Sequence, residues 1–231
     1  MILLSKGDTA LNKSVEIKEL FDCKTPYLIT LFEKYKYPWE ILPEIKNYIR
    51  ELIENGIEGY EEISEGVLVG KNVKIYPTAV IEAPAIIGDG TEIRPGAFIR
   101  SATLIGEGVV IGNSTETKNA IIFDGVQIPH YNYVGDSILG YKSHMGAGAI
   151  ASNFKLDGSN INVRTNEGPI ATGLRKFGVM LGDRAEVGCN SVLFPGTVVG
   201  RGCAIYPLSR VRGIIPENHI LNMDGKLIKK N

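Results

Sequence analysis

The chain has 231 residues, of which 44% are hydrophobic and 22% are charged, as in an ordinary globular protein. Its 25 basic and 26 acidic residues give a net charge of −1, which argues against a nucleic-acid binder that works through a basic face. No apolar run approaches the roughly 20 residues that span a bilayer. The opening stretch MILLSKGDTALNKSVE does not predict a signal peptide, and three scattered cysteines predict no disulfide framework. We therefore expect a protein of the reducing cytoplasm, without nucleic-acid or membrane partners.

Residues 1–62 are predicted to form a small helical cap. Thr25 followed by Pro26 is typical of a helix start, and a short helix is expected over 27–34. A second helix is predicted over 43–55, where isoleucine and leucine recur on one face. We expect this region to cover the exposed edge of the repeat that follows.

A six-residue period begins near residue 69. An aliphatic residue stands at each of eight successive sixth positions, and the fourth residue after each is small or β-branched. A period of six does not fit a helix with 3.6 residues per turn, and it is typical of a hexapeptide β-helix, in which three hexads make one triangular coil. Residues 63–215 are therefore predicted to form an all-β solenoid. The inward aliphatics of the first block are Val69, Ile75, Ile81, Ile87, Ile93, Ile99, Ile105 and Ile111.

The period resumes at Leu139 and runs on to Val211 with one interruption. Ala151 and Leu181 lie a multiple of six residues apart, so the coil keeps its phase across the gap. Residues 153–179 are therefore predicted to be a loop extruded from the coil. So long a loop in a compact solenoid is more often functional than not, although a tolerated surface insertion is the alternative. Residues 216–231 are short and polar and are predicted to be a solvated tail.

The phase slips between the two blocks. Phe123 continues the first register, but Leu139 falls two residues short of three further hexads, and Thr117 stands where an aliphatic residue is expected. Stacking is the source of a solenoid's core, so a segment that breaks the stack is where function is expected. The candidate site is therefore predicted within 117–139.

Four residues in and near this break have side chains suited to chemistry. His130 could act as a general base, because the ordinary pKa of histidine lies near operating pH; the alternative is a structural histidine. Arg94, Arg100 and Lys118 could hold a phosphate, and the alternative for each is an ordinary solvated charge.

The predicted loop carries polar residues at both ends. Asn153 opens it and could orient a sugar hydroxyl or an amide carbonyl, unless it is a simple turn residue. Arg175 and Lys176 close it and could meet phosphates or solvent alone.

A zinc hydratase is a further alternative, because some hexapeptide-repeat proteins are zinc carbonic anhydrases. The chain has three histidines, His130, His144 and His219, and no closely spaced pair of the kind that zinc requires. We therefore expect no metal.

The motifs PHYNYVGDSILG, GAGAIASN and GDRAEVGCNSVLFPGTVVG resemble the acetyltransferase domain of bifunctional glucosamine-1-phosphate acetyltransferase/N-acetylglucosamine-1-phosphate uridyltransferase. The similarity covers roughly residues 90–212. It implies a left-handed parallel β-helix, an exception to the usual right-handed crossover, and a homotrimer with active sites between subunits. The glycine-rich loop of the nucleotidyltransferase domain is not found, so we interpret the chain as a stand-alone form. The segment LFEKYKYPWEILPEI also resembles a set of stand-alone bacterial proteins.

The resemblance assigns roles to residues of the break. His130 matches the general base of an H-x-x-Y-x-G-D motif, and Tyr133 matches its tyrosine. Lys118, twelve residues before the histidine, matches a lysine that binds the sugar phosphate. Arg94 precedes Pro-Gly-Ala as the family's phosphate-binding arginine does. This chain has one extra hexad between that motif and Lys118, so Arg100 is also a candidate for the spatial position of the phosphate-binding arginine.

The resemblance extends to the later coils. Asn153 matches an asparagine that follows Gly-Ala-Gly, and acetyl-CoA would lie near Cys189 and Pro207. His144 replaces an asparagine that helps to hold the sugar. The loop after Asn153 lacks the Tyr-Asp-Gly-x-x-Lys pattern of the family, so the sugar can differ.

The leading functional hypothesis is an enzyme that transfers an acetyl group from acetyl-CoA to the amine of an amino-sugar phosphate. Glucosamine-1-phosphate is the model acceptor, and the product would serve sugar-nucleotide (UDP-N-acetylglucosamine) or cell-envelope precursor synthesis. The alternative is a non-catalytic trimeric protein that binds sugar nucleotides, which the change at His144 and the divergent loop motivate.

Overall fold

A computed structural model describes residues 15–165 and 167–230 of the chain. The prediction made for the opening stretch falls almost wholly on residues outside that part. Among the described residues, no helix is long and apolar enough to cross a membrane.

The predicted all-β parallel β-helix is confirmed. Its strands, numbered in chain order, form three walls of a prism, and strands of successive coils pair in parallel. The first wall contains β2 (Val67–Val69), β5 (Ala85–Ile87), β8 (Thr103–Ile105), the second halves of β10 (Glu116–Ile122) and β12 (Tyr133–Leu139), β17 (Val179–Leu181), β20 (Thr197–Val199) and β23 (Ile214–Ile215). The second wall contains β3 (Lys74–Ile75), β6 (Glu92–Ile93), β9 (Val110–Asn113), β11 (Gln127–His130), β13 (His144–Met145), β18 (Glu186–Val187), β21 (Ala204–Ile205) and β24 (His219–Leu221). The third wall contains β4 (Val80–Ile81), β7 (Phe98–Ile99), the first halves of β10 and β12, β14 (Ile150–Ala151), β19 (Val192–Leu193) and β22 (Arg210–Val211).

Four further strands lie outside the coils. They are β1 (Glu61–Ser64), antiparallel to β2, β15 (Asn162–Thr165) and β16 (Gly168–Ala171), which form a hairpin, and β25 (Leu227–Lys229), antiparallel to β24.

The inward aliphatics form the core of the prism, and those from Ile87 to Ile111 are fully buried. Ile81 is only partly buried, and Ile75 has 38% of its surface exposed. Both lie in the first coil, where no preceding coil covers them. The edge of the second and third walls is therefore open at this end.

The described helices pack on the outer side of the first wall, and β1 pairs with the free edge of β2. The prediction that the helices themselves cover the edge of the first coil is therefore wrong for the described residues. The helices comprise α1 (Ile17–Leu20), α2 (Pro26–Phe32), the 3-10 helix Pro38–Ile41 and α3 (Ile45–Asn55). Outward residues of the first wall, such as Leu104 and Ile121, pack in one cluster with the helices, and α3 contacts β8 and β10. The physical reason is that first-wall strands are apolar on both faces, so each face must be buried.

Contrary to the prediction, Phe123 does not continue the inward register. Ile122 does so, pairing with Ile105 and Leu139, while Phe123 faces outward and stacks on Phe21 with ring centroids 5.6 Å apart. The slip arises because two coils each lose one residue at the same corner. The shortened turns pass through Asn119 and Asp136, which have φ values of +46° and +48°.

Two chain segments leave or close the coils. The predicted loop is present as an insertion between β14 and β17, and it contains the β15–β16 hairpin. The predicted solvated tail is wrong for the described residues, because β24 pairs in parallel with β21 and β25 folds back on β24. Leu221 is buried there, so this hairpin closes the last coil.

Candidate active site

The third wall is only two or three residues wide, and it is flanked by two corners that carry the predicted site residues. We call the corner between the second and third walls, which holds His130, the histidine corner. We call the corner between the third and first walls, which holds Lys118, the lysine corner.

Backbone hydrogen bonds stack the residues of the histidine corner in a column. The Gly148 N–H donates to His130 O (3.0 Å), the Asn190 N–H to Ala147 O (2.8 Å), and the Leu208 N–H to Cys189 O (2.9 Å). Successive coils thus repeat the same turn. The resulting column contains Asn113, His130, Ala147, Cys189 and Pro207. The structure therefore brings the two residues predicted to border acetyl-CoA into line with the predicted base.

The turn that carries His130 is held from inside by Asn132. The Asn132 Oδ1 accepts from the His130 N–H (3.1 Å), and its Nδ2 donates to Gly146 O (2.8 Å) and Ala149 O (3.1 Å). The His130 side chain is exposed, and within residues 15–165 and 167–230 no hydrogen bond engages its imidazole. The imidazole is therefore accessible from outside the chain. Asn132 was not predicted from the sequence. Its position could have been noticed, because the equivalent corner position of the other coils holds alanine, serine or threonine and Asn132 carries a polar amide.

Arg100 lies beside Lys118 at the lysine corner. The Arg100 N–H donates to Thr117 O at 2.8 Å, which sets Arg100 one coil before Lys118. Its guanidinium pairs with Glu116 at 2.8 Å. Arg94 lies at the histidine corner instead and pairs with Glu92 at 3.1 Å. Of the two candidate arginines, the structure brings only Arg100 together with the lysine.

A buried carboxylate, Asp136, organises the lysine corner. It is 6% exposed and accepts hydrogen bonds from the side-chain amides of Asn153 (2.5 Å) and Asn119 (2.9 Å). A buried carboxylate needs such donors. The Asn153 Nδ2 also donates to the Tyr133 hydroxyl (3.1 Å), so the proton of that hydroxyl is left for another acceptor. Asp136 belongs to the motif PHYNYVGDSILG, but it was not among the predicted site residues.

Gly135 permits this arrangement. A Cβ at Gly135 would lie 2.4 Å from the Tyr133 hydroxyl and 2.8 Å from Asn153 Nδ2. The Tyr133 side chain therefore lies directly over the glycine, and the motif requires glycine at this position for packing.

Three cationic side chains lie at the lysine corner, beside the carboxylates of Glu116 and Asp136. Burial lowers the pKa of Lys118, and the neighbouring charge of Lys176 lowers it further. Burial raises the pKa of the Tyr133 phenol, and the charge of Asp136 adds to that rise, so the hydroxyl stays protonated at neutral pH. Lys118, Arg100 and Lys176 together suit an anionic group such as a phosphate.

His144, which was predicted to bind the substrate, does not lie in this cluster. It lies on the outer face of the second wall, paired with Gln127 of the preceding coil, and its Nδ1 lies 2.9 Å from Glu186 Oε2. It is thus separated from Tyr133 and Asn153 by the histidine corner.

The described residues contain no group of three or more His, Cys, Asp or Glu side chains that could hold a metal ion.

Comparisons with known proteins show which families the sequence resembles. The family model described as the GMPPB C-terminal domain matches residues 81–167. The uncharacterized acetyltransferase YaiX of Escherichia coli O6:K15:H31 (strain 536 / UPEC) is 36% identical over 179 residues, which cover 75% of this chain and 78% of YaiX. The bifunctional protein GlmU of Methanococcus maripaludis (strain S2) is 32% identical over 198 residues, 84% of this chain and 48% of GlmU. The chain thus spans about half the length of that GlmU.

Among solved structures, a mutant of AntD, an N-acyltransferase from Bacillus cereus in complex with dTDP and coenzyme A, aligns with a TM-score of 0.42 and 20% identity. The alignment covers 76% of this chain and 92% of AntD.

The repeat, the coil and the sequence relatives define a hexapeptide-repeat enzyme of the parallel β-helix type. The chain belongs to the acetyltransferase family that includes YaiX.

Proposed function

We propose that the protein transfers an acetyl group from acetyl-CoA to the amine of an amino-sugar phosphate, a step that would serve sugar-nucleotide or cell-envelope precursor synthesis. The observation that carries the proposal is the placement of Lys118, Arg100 and Lys176 around Tyr133 and Asn153. This group lies across the narrow third wall from the exposed His130. An anion-binding corner beside a potential base is what N-acetylation of a sugar phosphate requires.

In the proposed reaction the amine nitrogen attacks the thioester carbonyl carbon, and His130 accepts the proton that the nitrogen loses. Backbone N–H groups of the later coils would stabilise the oxyanion of the tetrahedral intermediate. The C–S bond then breaks, and the CoA thiolate leaves and takes up a proton. Lys118 and Arg100 would hold the phosphate, so that binding at the corner orients the amine.

We further propose that the active unit is a homotrimer with the site between subunits. The helices occupy the first wall, whereas the third wall keeps apolar side chains in solvent, including Val80 at 53% and Ile150 at 39% exposure. Exposed apolar patches mark interaction surfaces. A neighbouring subunit at this wall would also bring a second set of side chains to His130.

One observation favours a second candidate, a non-catalytic protein that binds sugar nucleotides. His144 pairs with Glu186 instead of offering an amide to a sugar. Such a protein would keep the anion-binding corner without turnover.

A thiol-release assay tests the proposal. The full chain is incubated with acetyl-CoA and glucosamine-1-phosphate or other amino-sugar phosphates, and free CoA thiol is followed. We expect thiol release that requires both substrates. If no amino-sugar phosphate supports release, while sugar nucleotides raise the melting temperature and CoA does not, the second candidate replaces the first.

Replacing Lys176 with glutamine should shift the pH dependence of phosphate binding upward. Protonated Lys118 attracts the phosphate, so affinity falls as pH rises through its lowered pKa. Removing the charge of Lys176 removes one cause of that lowering, so the fall should occur at higher pH. Calorimetric titration with glucosamine-1-phosphate across the pH range measures the midpoint.

The matched control for this experiment is Lys46→Gln on the exposed side of α3, which should leave the midpoint unchanged. Equal midpoints in Lys176→Gln and in the unmodified protein would contradict the coupling.

A further inference from the structure

The first coil leaves one end of the solenoid with unpaired strand edges. Among the described residues, β3 pairs only with β6, β4 pairs only with β7, and β1 is the outermost strand of the first wall. The N–H groups of Lys74 and Tyr76 donate to the next coil. Because neighbouring residues of a strand direct these groups to opposite edges, the N–H of Ile75 points to the open end. This end face therefore presents backbone groups with which a further strand can pair.

The same end face is apolar at its centre. A cavity of about 610 Å³ lies between β1 and the first coil, and it is lined by Ile63, Val73 and Ile75. Ile63 and Ile75 are exposed, whereas the residues one coil later at the positions of Ile75 and Ile81 are fully buried. The end face thus leaves in solvent the core that another layer would bury, and exposed apolar patches mark interaction surfaces.

The end face also carries opposite charges on two levels. β1 extends the first wall by one strand and bears Glu61 and Glu62, while the second wall stops one level lower at β3, beside Lys71 and Lys74. Glu61 and Lys71 both line the cavity. No ion pair found among the described residues involves any of these four side chains. The end face is therefore a step with an acidic upper level and a basic lower level.

We propose that this end face binds the same face of a second copy of the chain across a two-fold axis. An axis through the corner between the first and second walls exchanges those walls, so β1 of each copy lies on β3 of the other and fills the step. Both strands then run away from that corner. This direction places Glu61 beside Lys71, and Ile63 over Ile75, at each of two equivalent contacts.

A second copy is the occupant that the charges favour. The face carries both partners of each contact and is self-complementary, as a two-fold interface requires. A contact between unlike ends would instead repeat into an open filament. The two-fold contact leaves the outer side of the third wall free, so it can join two of the proposed trimers, and it does not depend on the proposed function.

Sedimentation equilibrium of the full chain over a dilution series tests the contact. We expect a particle with twice the mass of the Lys71→Glu variant, whether the basic unit is one chain or a trimer. Lys71→Glu and Glu61→Lys should each raise the dissociation constant by about tenfold or more, because like charges then meet at both contacts. The double variant Glu61→Lys/Lys71→Glu restores opposite charges and should restore the doubled mass. An equimolar mixture of the two single variants should also associate.

Ile63→Asp changes an exposed apolar side chain and should also halve the mass. The matched control is Lys46→Glu on the exposed side of α3, which should leave the mass unchanged, and thermal unfolding verifies that each variant is folded. Equal masses for the unmodified protein and Lys71→Glu at every concentration would overturn the proposal. Association that survives all three single end-face variants, or a mass that grows beyond twofold, would also overturn it. None of these measurements needs turnover, so they can fail while thiol release succeeds.

Discussion

Replacing His130 with alanine is expected to lower the rate of acetyl transfer by about 10²-fold or more, the usual contribution of a positioned general base. The proton of the attacking amine would then have no acceptor in the column that leads to Cys189 and Pro207. Since the imidazole makes no hydrogen bond within residues 15–165 and 167–230, its removal should leave the fold and the melting temperature unchanged. The measurement is steady-state thiol release with acetyl-CoA and the best amino-sugar phosphate, separated into kcat and KM.

His219→Ala is the matched control. This histidine lies on the second wall in β24, and its Nδ1 contacts Glu217 O of its own segment at 2.7 Å. The His219→Ala variant should retain full activity. We expect the His130 substitution to act on kcat, with KM for the sugar phosphate nearly unchanged, because Lys118 and Arg100 at the other corner remain. Equal rates for His130→Ala and the unmodified protein would remove His130 from the mechanism.

Replacing Trp39 with alanine should destabilise the protein by about 3–5 kcal/mol, the range for deleting a large buried aromatic side chain. Trp39 is 2% exposed. Its ring stacks on Tyr37 with centroids 4.6 Å apart, and it lies 5.8 Å from the ring of Phe177. At roughly 2–4 °C per kcal/mol for a chain of this size, the melting temperature should fall by about 6–20 °C. Calorimetric unfolding measures the shift.

The Trp39 substitution should also reduce activity below the unfolding temperature. Phe177, which Trp39 contacts, donates its N–H to Asn153 O at 3.0 Å, and Asn153 holds Tyr133. Trp39→Phe keeps an aromatic ring and should lose much less stability, while Leu156→Ala, at a fully exposed position, should lose none. A melting temperature unchanged in Trp39→Ala would mean that the helices do not pack on the first wall as described.

The helical region is thus connected to the lysine corner and not only to the solenoid. The Asn119 Nδ2 donates to Leu42 O at 3.2 Å as well as to Asp136 at 2.9 Å. Because Asn119 lies next to Lys118 in the chain, the end of the 3-10 helix segment contributes directly to the positioning of the corner.

The sequence alone predicted the repeat and most of the core, because an inward aliphatic must recur wherever one coil stacks on the next. It also located the insertion, since the phase of the period is preserved across it. It could not decide which residue of Ile122 and Phe123 faces inward. Both faces of the first wall are buried, so hydrophobicity does not distinguish the inward face from the outward one. For the same reason the sequence did not predict that the helices pack on the outward face.

The assembly of the candidate site was decided by tertiary structure. Motif matching left Arg94 and Arg100 as equal candidates, and only the corner at which each lies relative to Lys118 separates them. The structural role of Asp136 depends on amides from Asn119 and Asn153, which the coil and the returning chain bring together. The six-residue period was enough to predict the coil, because the core is formed by stacking between neighbouring coils. The contacts among corners, helices and insertion join residues that are far apart in the chain, so they could not be predicted from the spacing of nearby residues.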